Sequence, residues 1–126
     1  MLNQASPMTF IPTTQPEEAR RFYEGVLGLK LIAEELPFAL VFDSAGTMLR
    51  VVIVDSFTPQ PFTVLGWIVD DIAQSIDELA AKGVAFVRYP DFDQDERGVL
   101  TFPDDTALAW FRDPDGNLLS LTQFAD

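Results

Sequence analysis

A strand, tight turn and strand pattern occurs twice in the 126-residue chain and constrains the fold more than any other feature. The clearer copy is residues 110–123, WFRDPDGNLLSLTQ. Pro114 fixes φ there, Asp113 and Asp115 can bond to nearby amides, and Gly116 supplies the positive φ of a turn. The segment VFDSAGTMLRV, residues 41–51, is a weaker copy.

The rest of the chain repeats around these two hairpins. Thr14 and Asp71 each precede an apolar stripe of helical period, and Gly28 and Gly83 end those stripes. The two helix starts are 57 residues apart and the two helix ends are 55 residues apart, so the two copies are nearly in step. Strands are predicted by alternation and by turn residues at 8–13, 29–34, 38–43, 48–54, 63–69, 84–89 and 99–102, followed by the second hairpin. Both copies therefore predict the order βαβββ.

Two such units predict an α+β fold in one domain, residues 1–126, with modules at about 6–55 and 62–126 joined by the proline-containing segment 55–61. Their sheets are expected to form one cup-shaped mixed sheet with the helices outside. Trp67 alternates toward the helix side of its strand, and Phe22 and Tyr23 belong to the apolar stripe of the first helix, so all three are predicted to pack in the core.

Composition excludes several kinds of chemistry. The chain has no Cys and no His, which removes disulfides, thiol nucleophiles and the commonest metal ligand and general base. Eight Lys and Arg against 20 Asp and Glu give a formal charge of −12, which disfavours nucleic acid as a partner. The acidity favours a cationic ligand or simply maintains solubility. No membrane partner is predicted, and the lack of a signal peptide predicts a cytoplasmic protein.

The segments RRFYEGVLGLKL, residues 20–31, and FRDPDGNLLSL, residues 111–121, resemble the two signature segments of the vicinal-oxygen-chelate superfamily. This superfamily contains glyoxalase I, bleomycin-resistance proteins, fosfomycin-resistance transferases and extradiol dioxygenases. The resemblance covers nearly the whole chain, and its motifs specify the fold more than the reaction.

The resemblance implies a divalent metal held by the first and last strands of each module. The corresponding positions here are Met8, Val64, Arg50 and Ser120, which offer a thioether, an isopropyl group, a guanidinium and a hydroxyl. None is a good ligand for such an ion. We therefore expect a metal-free protein without a cofactor.

Arg50 is the candidate polar residue of the predicted interior. It either holds a carboxylate, phosphate or enolate oxygen of a ligand, or it pairs with an acidic side chain of the protein. Aligning the turn glycines places an apolar wall beside Arg50. Its predicted members, which could equally be core residues, are Trp110, Leu40, Phe10, Met48 and Val64.

The acidic segment 91–98, DFDQDERG, is interpreted either as a solvated, mobile loop that can act as a lid or as a site for Ca²⁺ or a cationic ligand. The leading hypothesis for the whole chain is a homodimeric small-molecule-binding protein of the glyoxalase/bleomycin-resistance type. One alternative is a lyase, isomerase or transferase that uses Arg50 for oxyanion stabilisation with Ser120 or Asp43 in support, although no catalytic residue is assigned. A regulatory or structural dimer with a collapsed interior is a third hypothesis.

Overall fold

The first four-stranded sheet follows the predicted order of elements. The computed structural model describes all 126 residues, in two units, Met1–Pro59 and Gln60–Asp126. The first unit contains a 3₁₀ turn (Leu2–Gln4), β1 (Met8–Thr13), α1 (Pro16–Arg20), a π-helix (Arg21–Val26), β2 (Lys30–Glu35), β3 (Ala39–Ser44) and β4 (Thr47–Ile53). The strand order is β1-β4-β3-β2, with β1 parallel to β4 and the other pairs antiparallel.

The first helix differs from its predicted form at both ends. Its N-cap is Gln15 rather than Thr14, and no side chain caps it. Pro16 occupies the first turn, where its lack of an amide hydrogen costs nothing, and the Gln15 amide bonds to Thr13 Oγ1 at 3.0 Å. From Arg21 onward the helix widens, as shown by the bond from the Leu27 amide to the Phe22 carbonyl.

The second unit repeats the sheet. It contains β5 (Thr63–Ile68), α2 (Ile72–Ala81), β6 (Leu100–Thr101), β7 (Ala107–Arg112) and β8 (Leu118–Gln123), in the order β5-β8-β7-β6. Asp71 caps α2 as predicted, because its Oδ1 accepts a hydrogen bond from the Gln74 amide at 3.0 Å. The two units together confirm the predicted α+β class and the βαβββ modules.

The strand predicted at 84–89 is wrong. Only Phe86 forms a bridge, with Phe111, and the Val87 amide donates to the Trp110 carbonyl at 2.8 Å. Beyond Val87 the chain leaves the sheet, because the Tyr89 amide bonds to the Gln94 side chain instead of a neighbouring strand. The sheet edge resumes only at β6. The acidic segment therefore interrupts the edge strand, and we call residues 88–99 the insertion.

Each sheet has one face covered by helix and fully buried side chains. In the first unit the register places Leu40, Phe42, Leu49 and Val51 together, and the Phe42 ring lies 5.9 Å from that of Tyr23 in the π-helix. In the second unit Phe111 packs against Trp67, with ring centroids 6.4 Å apart. This confirms that Phe22, Tyr23 and Trp67 are packing residues on the helix side.

The predicted hairpin turn at 113–116 is confirmed. Asp113 is buried and its Oδ1 accepts hydrogen bonds from the amides of Asp115, at 3.0 Å, and Asn117, at 2.9 Å. Gly116 has a φ of 89°. The Asp113 carboxylate thus bonds the turn amides that have no partner on a strand. The turn therefore holds β7 and β8 in a fixed register.

Candidate functional site

Four predicted site residues lie together on one face of the first sheet. Met8 pairs with Met48, and Phe10 pairs with Arg50, so alternation directs all four side chains away from the helix-covered face. Asp43 lies opposite Met48 and shares this side. Phe10 is 59% exposed, and both methionines are also exposed. We call this surface, Met8, Phe10, Met48 and Arg50, the Arg50 face.

The guanidinium of Arg50 is already paired. Its Nη2 lies 2.6 Å from Glu35 Oε1, across β3 on the same face of the sheet. The pair is partly exposed, so solvent weakens its attraction, yet an incoming anion would have to displace the Glu35 carboxylate. Of the two interpretations of Arg50, the structure therefore shows the ion pair with an acidic side chain.

The prediction that Leu40 shares a face with Arg50 is wrong. Leu40 pairs with Val51 and is only 2% exposed on the helix side, whereas Val41 pairs with Arg50. The two hairpins differ by one residue, because one more residue lies between the paired Arg112 and Leu118 than between Asp43 and Met48. A shift of one residue reverses every face of a strand, so Val41, not Leu40, corresponds to Trp110.

The corresponding surface of the second sheet carries Ser120 and Trp110. Gly66, Ser120 and Trp110 form one row across β5, β8 and β7, and Val64 lies on the same side at a β-bulge. Ser120 is 6% exposed, and its Oγ lies directly over Gly66, 2.5 Å from where a Cβ would be. We call this surface, Val64, Gly66, Ser120 and Trp110, the Trp110 face.

Three aromatic rings meet on the Trp110 face. The Trp110 ring lies 5.4 Å from Tyr89, edge to face, and 5.8 Å from Phe92, and the latter two rings are 5.4 Å apart. Phe92 remains 45% exposed. We call Tyr89, Phe92 and Trp110 the aromatic cluster. The rings are inclined to one another by 33–90°, so the cluster offers an apolar aromatic surface with both ring faces and ring edges that an aromatic ligand can contact.

Tyr89 and Phe92 were not predicted from the sequence to lie beside Trp110. Tyr89 was placed in a strand, and Phe92 was treated as part of an acidic loop. The available signal was the pair of aromatic residues in YPDF, residues 89–92, within an otherwise polar segment.

Hydrogen bonds anchor the insertion that carries these rings. Gln94 accepts from the Tyr89 amide at 2.7 Å and donates to the carbonyls of Val87 and Gly98 at 3.0 and 2.8 Å. The Arg88 guanidinium donates to the carbonyls of Asp95 and Glu96. The insertion is thus a folded arm of the second unit, held by hydrogen bonds of its own side chains.

A two-bond ion pair joins the insertion to α2. Arg97 Nε and Nη2 donate to Asp77 at 2.9 and 3.0 Å. These hydrogen bonds from Arg97 hold the pKa of the Asp77 carboxyl below its ordinary value, and the same bonds raise the pKa of Arg97. The pair is exposed, so it fixes geometry more than it adds stability.

The metal implied by the resemblance does not fit the residues present. Met8, Val64, Arg50 and Ser120 provide no carboxylate, imidazole or thiolate. No group of three or more His, Cys, Asp or Glu side chains is arranged to hold a metal ion, and this includes the carboxylates of the insertion.

No helix of the structure has both the length and the apolar character needed to cross a membrane.

The two βαβββ units, each with an apolar sheet face, define a small α+β protein built from duplicated modules. Residues 5–121 match the family model described as Glyoxalase/Bleomycin resistance protein/Dioxygenase superfamily, and the chain belongs to that superfamily. No curated protein sequence matches the chain.

Solved structures of the same superfamily superpose over nearly the whole chain. TnmS3, an antibiotic binding protein from Streptomyces sp. CB03234, is 26% identical, with 99% of each chain covered and a TM-score of 0.73. Lactoylglutathione lyase from Agrobacterium tumefaciens is 18% identical, with 94% of this chain and 93% of that chain covered and a TM-score of 0.72. The glyoxalase family protein from Enterococcus faecalis is 20% identical, with 97% and 99% covered and a TM-score of 0.74. At these identities the last two show the fold alone.

Proposed function

We propose that this protein binds a planar, largely apolar small molecule without a metal, and that it sequesters such compounds rather than transforming them. The observation that carries the proposal is the aromatic cluster on the Trp110 face. Its Phe92 ring is partly exposed, although burial of that ring would contribute to stability. A ligand that stacks on the cluster would remove this apolar surface from water.

The similarity to TnmS3 supports sequestration over turnover. That protein is described as an antibiotic binding protein, and its identity to this chain is higher than that of the lyase above. Arg50, the one candidate for oxyanion stabilisation, is paired with Glu35, and Ser120 is buried over Gly66. These contacts give neither side chain a free role as a catalytic group.

The charge of the protein supports a cationic or neutral ligand rather than an anionic one. The formal charge is −12, and Asp91 and Asp93, on either side of Phe92, are both exposed. An aromatic cation would gain from the ring faces and from the surrounding negative potential. An aromatic carboxylate of the same shape would be repelled.

A thermal-shift screen of planar antibiotics and small carboxylates tests the proposal. We expect planar cationic or neutral compounds to raise the melting temperature of the wild type and of Trp67→Ala, each measured against its own baseline. Trp110→Ala is expected to lose the shift. Trp67→Ala is the matched control, because it also replaces a tryptophan by alanine. Trp67 packs on the helix side of the same sheet, away from the aromatic cluster. A screen in which no compound shifts the wild type would remove the support for binding.

The same screen tests Arg50. We expect small carboxylates to give no shift in the wild type, because Glu35 occupies the guanidinium. Glu35→Gln should reveal a carboxylate-induced shift, and adding Arg50→Ala to it should abolish that shift. A carboxylate shift in the wild type that Arg50→Ala removes would favour the enzymatic alternative.

We further propose that the protein is a cytoplasmic homodimer. The proposal is supported by the exposed Met8, Phe10 and Met48. A second copy of the chain would cover these apolar side chains, which lie on one face. Light scattering coupled to size-exclusion chromatography should give twice the chain mass, and Phe10→Glu should shift the mass toward that of one chain. A wild type of one chain mass at all concentrations tested would contradict the dimer.

A further inference from the structure

We propose that Gln94 is the positioning residue of the aromatic cluster, and that the insertion is a preorganised binding arm rather than a lid. This inference rests on the proposed function, because the cluster is the ligand surface named there. Gln94 itself lies outside the cluster. It is one of the few partly buried residues of the insertion, and its side-chain bonds go to the backbone of Val87, Tyr89 and Gly98, on either side of Phe92.

The bonds of Gln94 close the insertion at its base. Val87 is the last residue bonded to β7 before the insertion begins, and Gly98 is the point where the chain returns toward β6. The Gln94 amide group donates to both of their carbonyls, so it joins the two ends of the arm. Since those carbonyls lie beyond the end of regular pairing, Gln94 supplies the partner that a continuous strand would have given.

The same side chain fixes the direction of Tyr89. Its Oε1 accepts from the Tyr89 amide at 2.7 Å, which turns the backbone out of the sheet where the Tyr89 ring meets Trp110. The Phe92 amide then donates to the Tyr89 carbonyl at 3.0 Å, and this turn returns the Phe92 ring to Trp110. Two aromatic rings thus depend on one amide side chain.

The backbone of Gly98 also restricts the path by which the arm returns to the sheet. Gly98 has a φ of 91°, and a Cβ there would lie 3.4 Å from the Cβ of Phe86. The return of the arm therefore needs glycine and passes close to the bridge residue of the sheet. Preorganisation of this kind strengthens binding, because the rings are ordered before the ligand arrives.

The first test reads the cluster without any ligand. In a Trp67→Phe background Trp110 is the only tryptophan, and its fluorescence quenching by acrylamide reports how well Tyr89 and Phe92 shield it. We expect Gln94→Met, which keeps the side-chain length and loses the hydrogen bonds, to increase this quenching at temperatures far below the melting point. Gln74→Met is the matched control. Gln74 is exposed on α2, bonds to Glu78, and its replacement should leave the quenching unchanged.

The second test reads binding with proflavine, a planar aromatic cation. We expect Gln94→Met to weaken proflavine binding about tenfold, and Gln74→Met to leave it unchanged. A role in stability alone would lower the melting temperature without changing the Trp110 quenching below it. Unchanged quenching and unchanged proflavine affinity in Gln94→Met would overturn the proposal.

Failure of the proposed function gives a different result. If the wild type binds neither proflavine nor any compound of the screen, binding fails, whereas the acrylamide measurement still decides whether Gln94 positions the rings.

Arg88→Ala keeps the test valid should Gln94→Met not fold. Arg88 is exposed and holds the carbonyls of Asp95 and Glu96, so its loss should increase Trp110 quenching in the same direction. No increase in that variant would count against the proposal.

Discussion

Gly66 and Ser120 are matched to each other on the Trp110 face. The Ser120 hydroxyl occupies the space over Gly66, so a methyl group added there would lie 2.5 Å from Oγ. We expect Gly66→Ala to lower the free energy of unfolding by about 1–3 kcal/mol, because the buried hydroxyl has to move. Urea denaturation measures the change.

The Ser120→Ala background provides the internal control for this pair. Without Oγ, the nearest Ser120 atom to the new methyl group is the carbonyl oxygen at 3.3 Å, so the cost of Gly66→Ala should fall. Gly25→Ala is the matched control outside the pair, since nothing lies within 4 Å of its added Cβ. Equal costs in the two backgrounds would show that Ser120 does not exclude a side chain at position 66.

Asp77 carries a prediction about pH. Its hydrogen bonds from Arg97 lower its pKa in the folded protein, so the pair contributes stability above the ordinary value of 3.8, and that contribution is lost as the pH falls through the lowered pKa. NMR titration of the Asp77 carboxyl should give a pKa below 3.8 in the wild type. Arg97→Gln should return it toward the ordinary value, and Arg112→Gln should leave it lowered. A titration unchanged by Arg97→Gln would disprove the pairing in solution.

The first hairpin turn departs from its ideal residue choice. Ala45 and Gly46 both have positive φ, 48° and 90°, which is the two-residue turn that prefers Asn-Gly. Ala45→Asn should therefore raise the free energy of unfolding by about 0.5–1 kcal/mol, because Asn tolerates this conformation better than Ala.

Ala80→Asn is the matched control for the turn. Ala80 is exposed in α2, where Asn is a poorer helix former, so the same substitution should destabilise by about 0.5 kcal/mol. Chemical denaturation of both variants checks the pair. Destabilisation of similar size at both positions would contradict the geometry of the turn.

The strands show how far a sequence specifies elements. Alternation and turn residues located β1, β2, β3, β4, β5 and β8 to within about one residue, because apolar or β-branched runs bounded by turn residues mark where a strand begins and ends. The face of Leu40 was predicted wrongly, since a single extra residue in one turn reverses a strand and leaves composition unchanged. The prediction of an edge strand at 84–89 was wrong because the Gln94 side chain bonds to backbone groups that a neighbouring strand would otherwise bond. A side chain several residues away that bonds to the backbone leaves no trace in the hydrophobic periodicity.

The aromatic cluster could be predicted only in part. Trp110 was identified from its place in the second hairpin, which is local information. Tyr89 and Phe92 reach it through the fold of the insertion, and that fold depends on hydrogen bonds of Arg88 and Gln94 to backbone carbonyls. Contacts of this kind follow from tertiary structure and have no sequence period.

The charge of the whole molecule carries a prediction about ligand class. With a formal charge of −12, binding of a cationic aromatic compound should weaken as salt is added from about 10 mM to 1 M, because screening shortens the reach of the field from roughly 30 Å to 3 Å. A neutral compound of the same ring system should bind almost independently of salt. Calorimetric titration of the two compounds measures this difference. Equal salt dependence would show that the acidic surface has no part in binding.

As proposed, the Trp110 face binds its ligand without a metal. The most direct measurement is the fluorescence titration of chelator-treated protein with a compound from the screen, carried out in Trp67→Phe, which retains Trp110, and in Trp110→Phe, which retains Trp67. We predict saturable quenching in Trp67→Phe that is unchanged when divalent metal is returned, and weak or no quenching in Trp110→Phe. Quenching that appears only after metal is added, or that is equally strong in Trp110→Phe, would contradict the claim.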